Sequence, residues 1–119
     1  MYHKNAREYI LFLEDMHLSI TRIEEYVEGF DVSKFKKTYL VVDAVCRNFE
    51  IIGEAANKIP EEVKTKYPEI PWLKMYGLRN MISHEYFGID YEIIWEIATK
   101  NLPKNKLELK KVIDNEKSL

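Results

Sequence analysis

The sequence predicts an all-α protein: an antiparallel up-and-down bundle of four to five helices, in a single domain over residues 1–119. Three observations carry this. Apolar residues recur at alternating steps of three and four over long stretches, which is the spacing of a helix face. Glycine, proline and Asp or Ser punctuate those stretches where helices start and stop. Strand signals are weak throughout, with no sustained alternation and no Asn-Gly or Asp-Gly turn. At 119 residues and 46% hydrophobic composition the chain has enough apolar material for one core.

The first helix is expected from about Asn5 to Glu28. Ala6, Tyr9, Leu13, Met16, Ile20, Ile23, Val27 and Phe30 form its seam, and Gly29 supplies the stop. Such a seam packs on a neighbouring helix, in the same chain or in a second copy. Asp31 and Ser33 are candidate N-caps for a helix from about Lys34 to Lys58. Its apolar stripe is Val41, Val45, Phe49, Ile52, Ala55 and Ile59. Asp43, Arg47, Glu50 and Glu54 line another face. Pro60 ends that pattern and opens a short acidic helix, with proline at its first position. After the connector Tyr67-Pro68-Glu69-Ile70-Pro71-Trp72, Pro71 starts a third main helix carrying Leu73, Met75, Leu78 and Ile82 and ending near Gly88. Asp90 caps a fourth, Tyr91 to about Asn101, and Pro103 opens a charged last helix.

Composition narrows the function classes. Lys+Arg 18 against Asp+Glu 20 gives a formal charge of −2. That excludes a basic nucleic-acid coat protein, so any contact with nucleic acid is expected through a local patch. Cys46 is the single cysteine, which excludes an internal disulfide and fits a reducing compartment. No apolar run is long enough to cross a bilayer, and no apolar signal core follows Met1–Asn5. The expectation is a cytoplasmic protein with no membrane association.

Most catalytic signatures are missing: no Gly-rich phosphate loop, no cysteine pair for zinc, no nucleophile elbow. Glu14-Asp15-Met16-His17 matches half of a di-iron motif, but no second pair completes it. No metal site and no cofactor are expected, and His17 reads as a partly exposed helix residue.

The segment Leu78–Phe87 is different. On an ideal α-helix with Arg79 at zero, Ser83 falls near about 40°, Asn80 near about 100° and His84 near about 140°. Leu78, Ile82 and Tyr86 fall on the other side, so one polar sector lies beside an apolar wall. Histidine gives and takes protons near neutral pH. Arginine offers a donor fork matched to phosphate. Together they suit phosphate-ester chemistry without a metal. RNA already carries its nucleophile, the 2′-hydroxyl beside the phosphate. Helices also carry Arg, Asn and His on plain solvated faces, and spacing alone does not separate the two. The Arg47/Glu54 row is likewise either a second wall of the cleft or an intrahelical ion-pair row.

Arg79-x-x-x-x-His84-x-Tyr86 resembles the R-x-x-x-x-H-x-Y motif of HepT-type toxins of the HEPN superfamily. The resemblance extends to Asp43–Ala56, to the connector Tyr67–Trp72 and to Asp90-Tyr91. It implies a HEPN-like helical homodimer acting as a metal-independent ribonuclease, the toxin of a type VII-like toxin–antitoxin module. Its implied partner is a minimal nucleotidyltransferase antitoxin of the MntA type, which transfers AMP to the motif tyrosine. Residue by residue, Arg79 and His84 become catalytic and Tyr86 the AMP acceptor. Asn80 becomes a supporting, phosphate-orienting residue, and Arg47 and Glu54 join it where their row faces the same cleft, since the two helices must pack together. A two-fold dimer would bring two His84 side chains into one cleft, supplying both an acid and a base. The long first seam offers apolar surface for such a dimer. Two other readings stay open: a non-catalytic helical subunit that binds nucleotide or the nucleotidyltransferase, and a purely structural dimer.

Overall fold

The structure is a computed structural model and describes residues 7–81 and 90–119. Among the described residues there is helix and no strand. Three long helices carry the bundle: α1 (Tyr9–Val27), α3 (Tyr39–Asn57) and α7 (Leu102–Lys117). Between them lie the short helices α2 (Val32–Lys37), α4 (Glu61–Lys66), α5 (Trp72–Gly77) and α6 (Tyr91–Glu96). A 3-10 turn, Leu78–Asn80, follows α5, and a π turn, Ile97–Asn101, joins α6 to α7. The chain is thus divided more finely than four to five up-and-down helices.

The first seam behaves as its spacing requires. Leu13, Met16, Ile20, Ile23 and Val27 are buried, and Gly29 takes the left-handed conformation (φ 79°) that ends α1. The seam is covered by α3 and α7 of the same chain. The seam itself is therefore used within the chain, while Leu11 and Leu18 on the same helix stay exposed. Side-chain pairs fix the helix directions. Lys117 reaches Glu14 (2.7 Å) and Lys106 reaches Glu24 (2.7 Å), so α7 runs antiparallel to α1. Lys58, just past α3, lies over the Phe12 ring near the start of α1, so α3 is antiparallel as well.

The helix expected from Lys34 to Lys58 is broken at Thr38 (φ −110°, ψ 85°). Its hydroxyl donates to the Lys34 carbonyl (2.7 Å) and its N–H to the Phe35 carbonyl. A threonine followed by Tyr39 is a weak helix former whose hydroxyl competes for backbone groups. Asp31, rather than Ser33, caps α2 through Lys34 N–H (2.8 Å). Pro60 is the N-cap residue of α4 rather than its first residue. Asp90 caps α6, accepting from the N–H groups of Glu92 and Ile93.

Pro103 stands in the first turn of α7, as expected of a proline that opens a helix. The backbone stays helical from Tyr91 to Lys117, passing through the π turn. A proline ring within a helix crowds the carbonyl four residues back and removes a donor. The wider turn just ahead of Pro103 relieves both.

At the end of the bundle where α1 begins and α7 ends, Glu116 is buried at 2% exposure. Its carboxylate accepts from Tyr9 (2.5 Å), Tyr67 (2.5 Å) and Lys66 (2.8 Å). Burial alone would raise its pKa. Those three donors overcome that and hold it at about 2. The same knot pushes the Tyr9 phenol up to about 12, through burial first and then its bond to Glu116.

Candidate active site

The site is built where α3 meets the end of α5. Gly53 on α3 is buried, and a Cβ placed there would come within 2.8 Å of Arg79 Cβ, Arg79 N and the Tyr76 carbonyl oxygen. Only glycine lets these backbones approach so closely. The contact sets the 3-10 turn directly against α3, and with it the position of Arg79. The guanidinium lies 5.3 Å from the centre of the Tyr76 ring, a cation–π distance. Its Nη2 is 3.5 Å from Glu54 Oε2, one residue beyond the glycine. The Arg79 side chain is 33% exposed and that of Glu54 51%. Arg79 is thus oriented from two sides yet open to solvent, and an ion pair so exposed is worth little and is readily exchanged for another anion.

The expected site residues divide. Arg79 and Glu54 are brought together. Asn80 is exposed on the same 3-10 turn. Arg47 is not drawn in: it pairs with Glu50 at 2.9 Å, one turn along α3, and is 67% exposed. The stripe on α3 therefore pairs within the helix at Arg47–Glu50 and across to the 3-10 turn at Glu54–Arg79. Ser83, His84 and Tyr86 lie outside the described residues. The ideal wheel used for Leu78–Phe87 needs correction at its origin, because Leu78–Asn80 is wound at three residues per turn, not 3.6. Leu78 and Met75 are buried as expected, whereas Leu73 is 81% exposed and belongs to no core face.

Sequence reasoning missed the roles of Gly53 and Tyr76. The signal for Gly53 was available, since a glycine inside an otherwise strong helix is costly and needs a packing reason. Tyr76 had no comparable signal: it precedes Arg79 by three residues, but an aromatic at that spacing is common in any helix.

Among the described residues no group of His, Cys, Asp or Glu could hold a metal ion, and no helix is long and apolar enough to cross a membrane. His17 is half-buried on α1, its pKa lowered by burial and by the nearby Lys106 and Lys110.

Comparison with known proteins bears on this arrangement. The family model "Ribonuclease HepT-like" matches residues 16–112, a span that holds Gly53, Glu54, Tyr76 and Arg79 together with the whole Arg79–Tyr86 motif. The Methanocaldococcus jannaschii protein named "Putative RNase MJ1380" is 39% identical over 105 residues, covering 88% of this chain and 96% of its own. The Thermococcus cleftensis protein named "Probable ribonuclease HepT" is 38% identical over 104 residues, covering 85% and 92%. A protein of Caldanaerobacter subterraneus, "Putative RNase TTE0752", is 35% identical over 89% of this chain. No solved structure matches the chain significantly. With a matching family model over most of its length and relatives alike nearly end to end, the chain belongs to the HepT-like ribonuclease family.

Proposed function

We propose that this protein is a metal-independent endoribonuclease acting as the toxin of a HepT/MntA-type module. The observation that supports this most is the placing of Arg79, fixed by the Gly53 contact, oriented by Tyr76 and Glu54 and still open to an incoming phosphate. Membership of a ribonuclease family gives that arginine its substrate class. In this reading Arg79 binds the scissile phosphate and offsets the charge that builds on it during attack. His84 takes the proton from the 2′-hydroxyl, the 2′-oxygen attacks phosphorus, and the 5′-oxygen leaves with a proton from a second imidazole. That second imidazole is His84 of another copy, with the cleft lying across a two-fold axis. The products are a 2′,3′-cyclic phosphate and a 5′-hydroxyl. Asn80 and Glu54 steady the arginine and the phosphate.

The regulatory half of the proposal is adenylylation of Tyr86 by a minimal nucleotidyltransferase antitoxin. AMP on that phenol would add a bulky anion within the motif and compete for the donors of Arg79. The experiment incubates purified protein with total cellular RNA in EDTA beside His84→Ala, with intact masses recorded. Cleavage that survives EDTA and disappears in the variant is the expected result. Products ending in 3′-hydroxyls, or an unmodified wild type that leaves RNA whole, overturn the proposal.

A further inference from the structure

Beside the 3-10 turn lies a cavity of about 670 Å³, lined by α5, the π turn and the start of α7 and not by Glu54. Its volume falls in the range of small-molecule sites. Met75, Leu78, Met81 and Leu102 give it an apolar wall, and Leu78 and Met81 bracket Arg79 in sequence. Asn105 is 9% exposed and lines the same cavity, and its amide makes no hydrogen bond among the described residues. Its amide atoms are open to the cavity rather than sealed, since among the described residues the sealed side-chain atom without a partner is Asn48 Oδ1, so they are available to bond a polar ligand that enters. Lys100 and Lys104 stand at the rim, neither in an ion pair among the described residues; Glu69 and Glu108 share that rim. The π turn supplies Lys100, and such turns recur at functional sites.

Resting on the ribonuclease reading above, we infer that this cavity is a nucleotide subsite. The base of one nucleotide lies on the apolar wall, the Asn105 amide bonds the base edge, and Lys100 and Lys104 hold its phosphate. An amide presents a donor and an acceptor side by side, which a base edge matches and a lipid chain does not, while the apolar wall suits a base. Because the turn that carries Arg79 forms one wall, the nucleotide taken here is a near neighbour of the scissile phosphate. The subsite then selects which base flanks the cut, a restriction that suits a protein without the broad positive charge of a general RNA binder.

The test is titration calorimetry on the full chain with short 2′-O-methyl homo-oligomers of A, C, G and U, which lack the nucleophile, and separately with the four nucleoside monophosphates. Wild type is expected to prefer one base by roughly five- to a hundredfold, the discrimination one paired amide supplies. Asn105→Leu, which keeps the side-chain shape, is expected to lose that preference. Lys100→Gln with Lys104→Gln, at the exposed rim, is expected to weaken all four oligomers alike and to reduce the salt slope by about 0.7, the value for one phosphate contact to a single strand. Preference seen with the oligomers assigns the site to an RNA strand. The same preference with monophosphates alone assigns it to a free nucleotide and overturns the flanking-base role. Equal binding of all four bases, or an unchanged preference in Asn105→Leu with unaltered melting, overturns the subsite altogether. The nuclease reading fails separately: a wild type that binds with preference but leaves cleavable RNA intact keeps the subsite and loses the nuclease.

Discussion

Two helical glycines, Gly53 inside the contact between α3 and the 3-10 turn and Gly77 outside it, should answer to alanine with opposite signs. Gly53 and Gly77 are both in helical backbone, and alanine is the better helix former by about 1 kcal/mol in a helix interior. Gly77 has nothing within 4 Å of where a Cβ would stand, so Gly77→Ala keeps that gain, reduced at a helix end to about 0.5 kcal/mol. At Gly53 the Cβ meets three atoms at 2.8 Å, two of them backbone, so no rotamer change relieves the overlap. Relief requires moving the whole Tyr76–Arg79 turn, and such overpacking costs about 1–3 kcal/mol. Against the propensity gain, Gly53→Ala should end up to about 2 kcal/mol less stable than wild type, a fall in Tm of up to roughly 12 °C for a domain of this size. Thermal and urea unfolding followed by circular dichroism measure both variants. A Gly53→Ala protein as stable as Gly77→Ala would refute the reasoning, because the two backbones would not be in the contact described. The displaced turn should also lower RNA cleavage in Gly53→Ala well below that of Gly77→Ala at a temperature where both are folded.

Three further outcomes are expected. Glu116 titrates near its ordinary 4.5 when unfolded and at about 2 when folded, so the stability this difference contributes is present above pH 4.5 and is lost as pH falls toward 2. That amounts to about 3 kcal/mol, at about 1.4 kcal/mol per pKa unit, and urea unfolding between pH 7 and 3 should show a shallower acid loss in Glu116→Gln; an identical loss would remove Glu116 as its source. Arg79→Ala should abolish cleavage while changing stability by less than about 1 kcal/mol, since its ion pair is half exposed, and Arg79→Lys should recover little because one ammonium cannot replace the fork; full activity in Arg79→Lys would contradict the phosphate-binding role. Asp90→Ala removes a side chain that caps two N–H groups and should cost about 1 kcal/mol by chemical unfolding.

What the sequence revealed follows from which interactions are local. The α1 seam, the stop at Gly29, the cap at Asp90 and the breaks at Pro60 and Pro71 depend on residues within a turn of one another, and each stood where its spacing placed it. The break at Thr38 was hidden because one hydroxyl bond to Lys34 decides it inside an otherwise continuous apolar pattern. Pro103 marked the first turn of α7, but the π turn just ahead of it carries no residue signature and was not anticipated. In the site, the motif arginine was evident from residue types, but its neighbours were not. That Glu54 faces Arg79 while Arg47 faces Glu50 depends on the Gly53 contact between α3 and the 3-10 turn, a long-range fact that no helical wheel contains. The nearly buried Glu116 was equally invisible, since a glutamate in a Lys-rich last helix reads as solvated surface.

The guanidinium of Arg7 donates to the backbone carbonyls of Glu116 (2.8 Å) and Leu119 (3.3 Å), so the first described residue and the last touch each other. A short glycine-serine bridge can therefore join Arg7 to Leu119 in a chain that starts at Arg7, and new ends can be opened at the exposed Gly29 between α1 and α2. Such a rearranged polypeptide keeps every helix intact but changes their order along the ribosome's output, so that α1 emerges last, after α3 and α7 have had to wait for it. Its refolding rate beside that of the native order would tell whether the bundle assembles around its first helix or merely closes upon it.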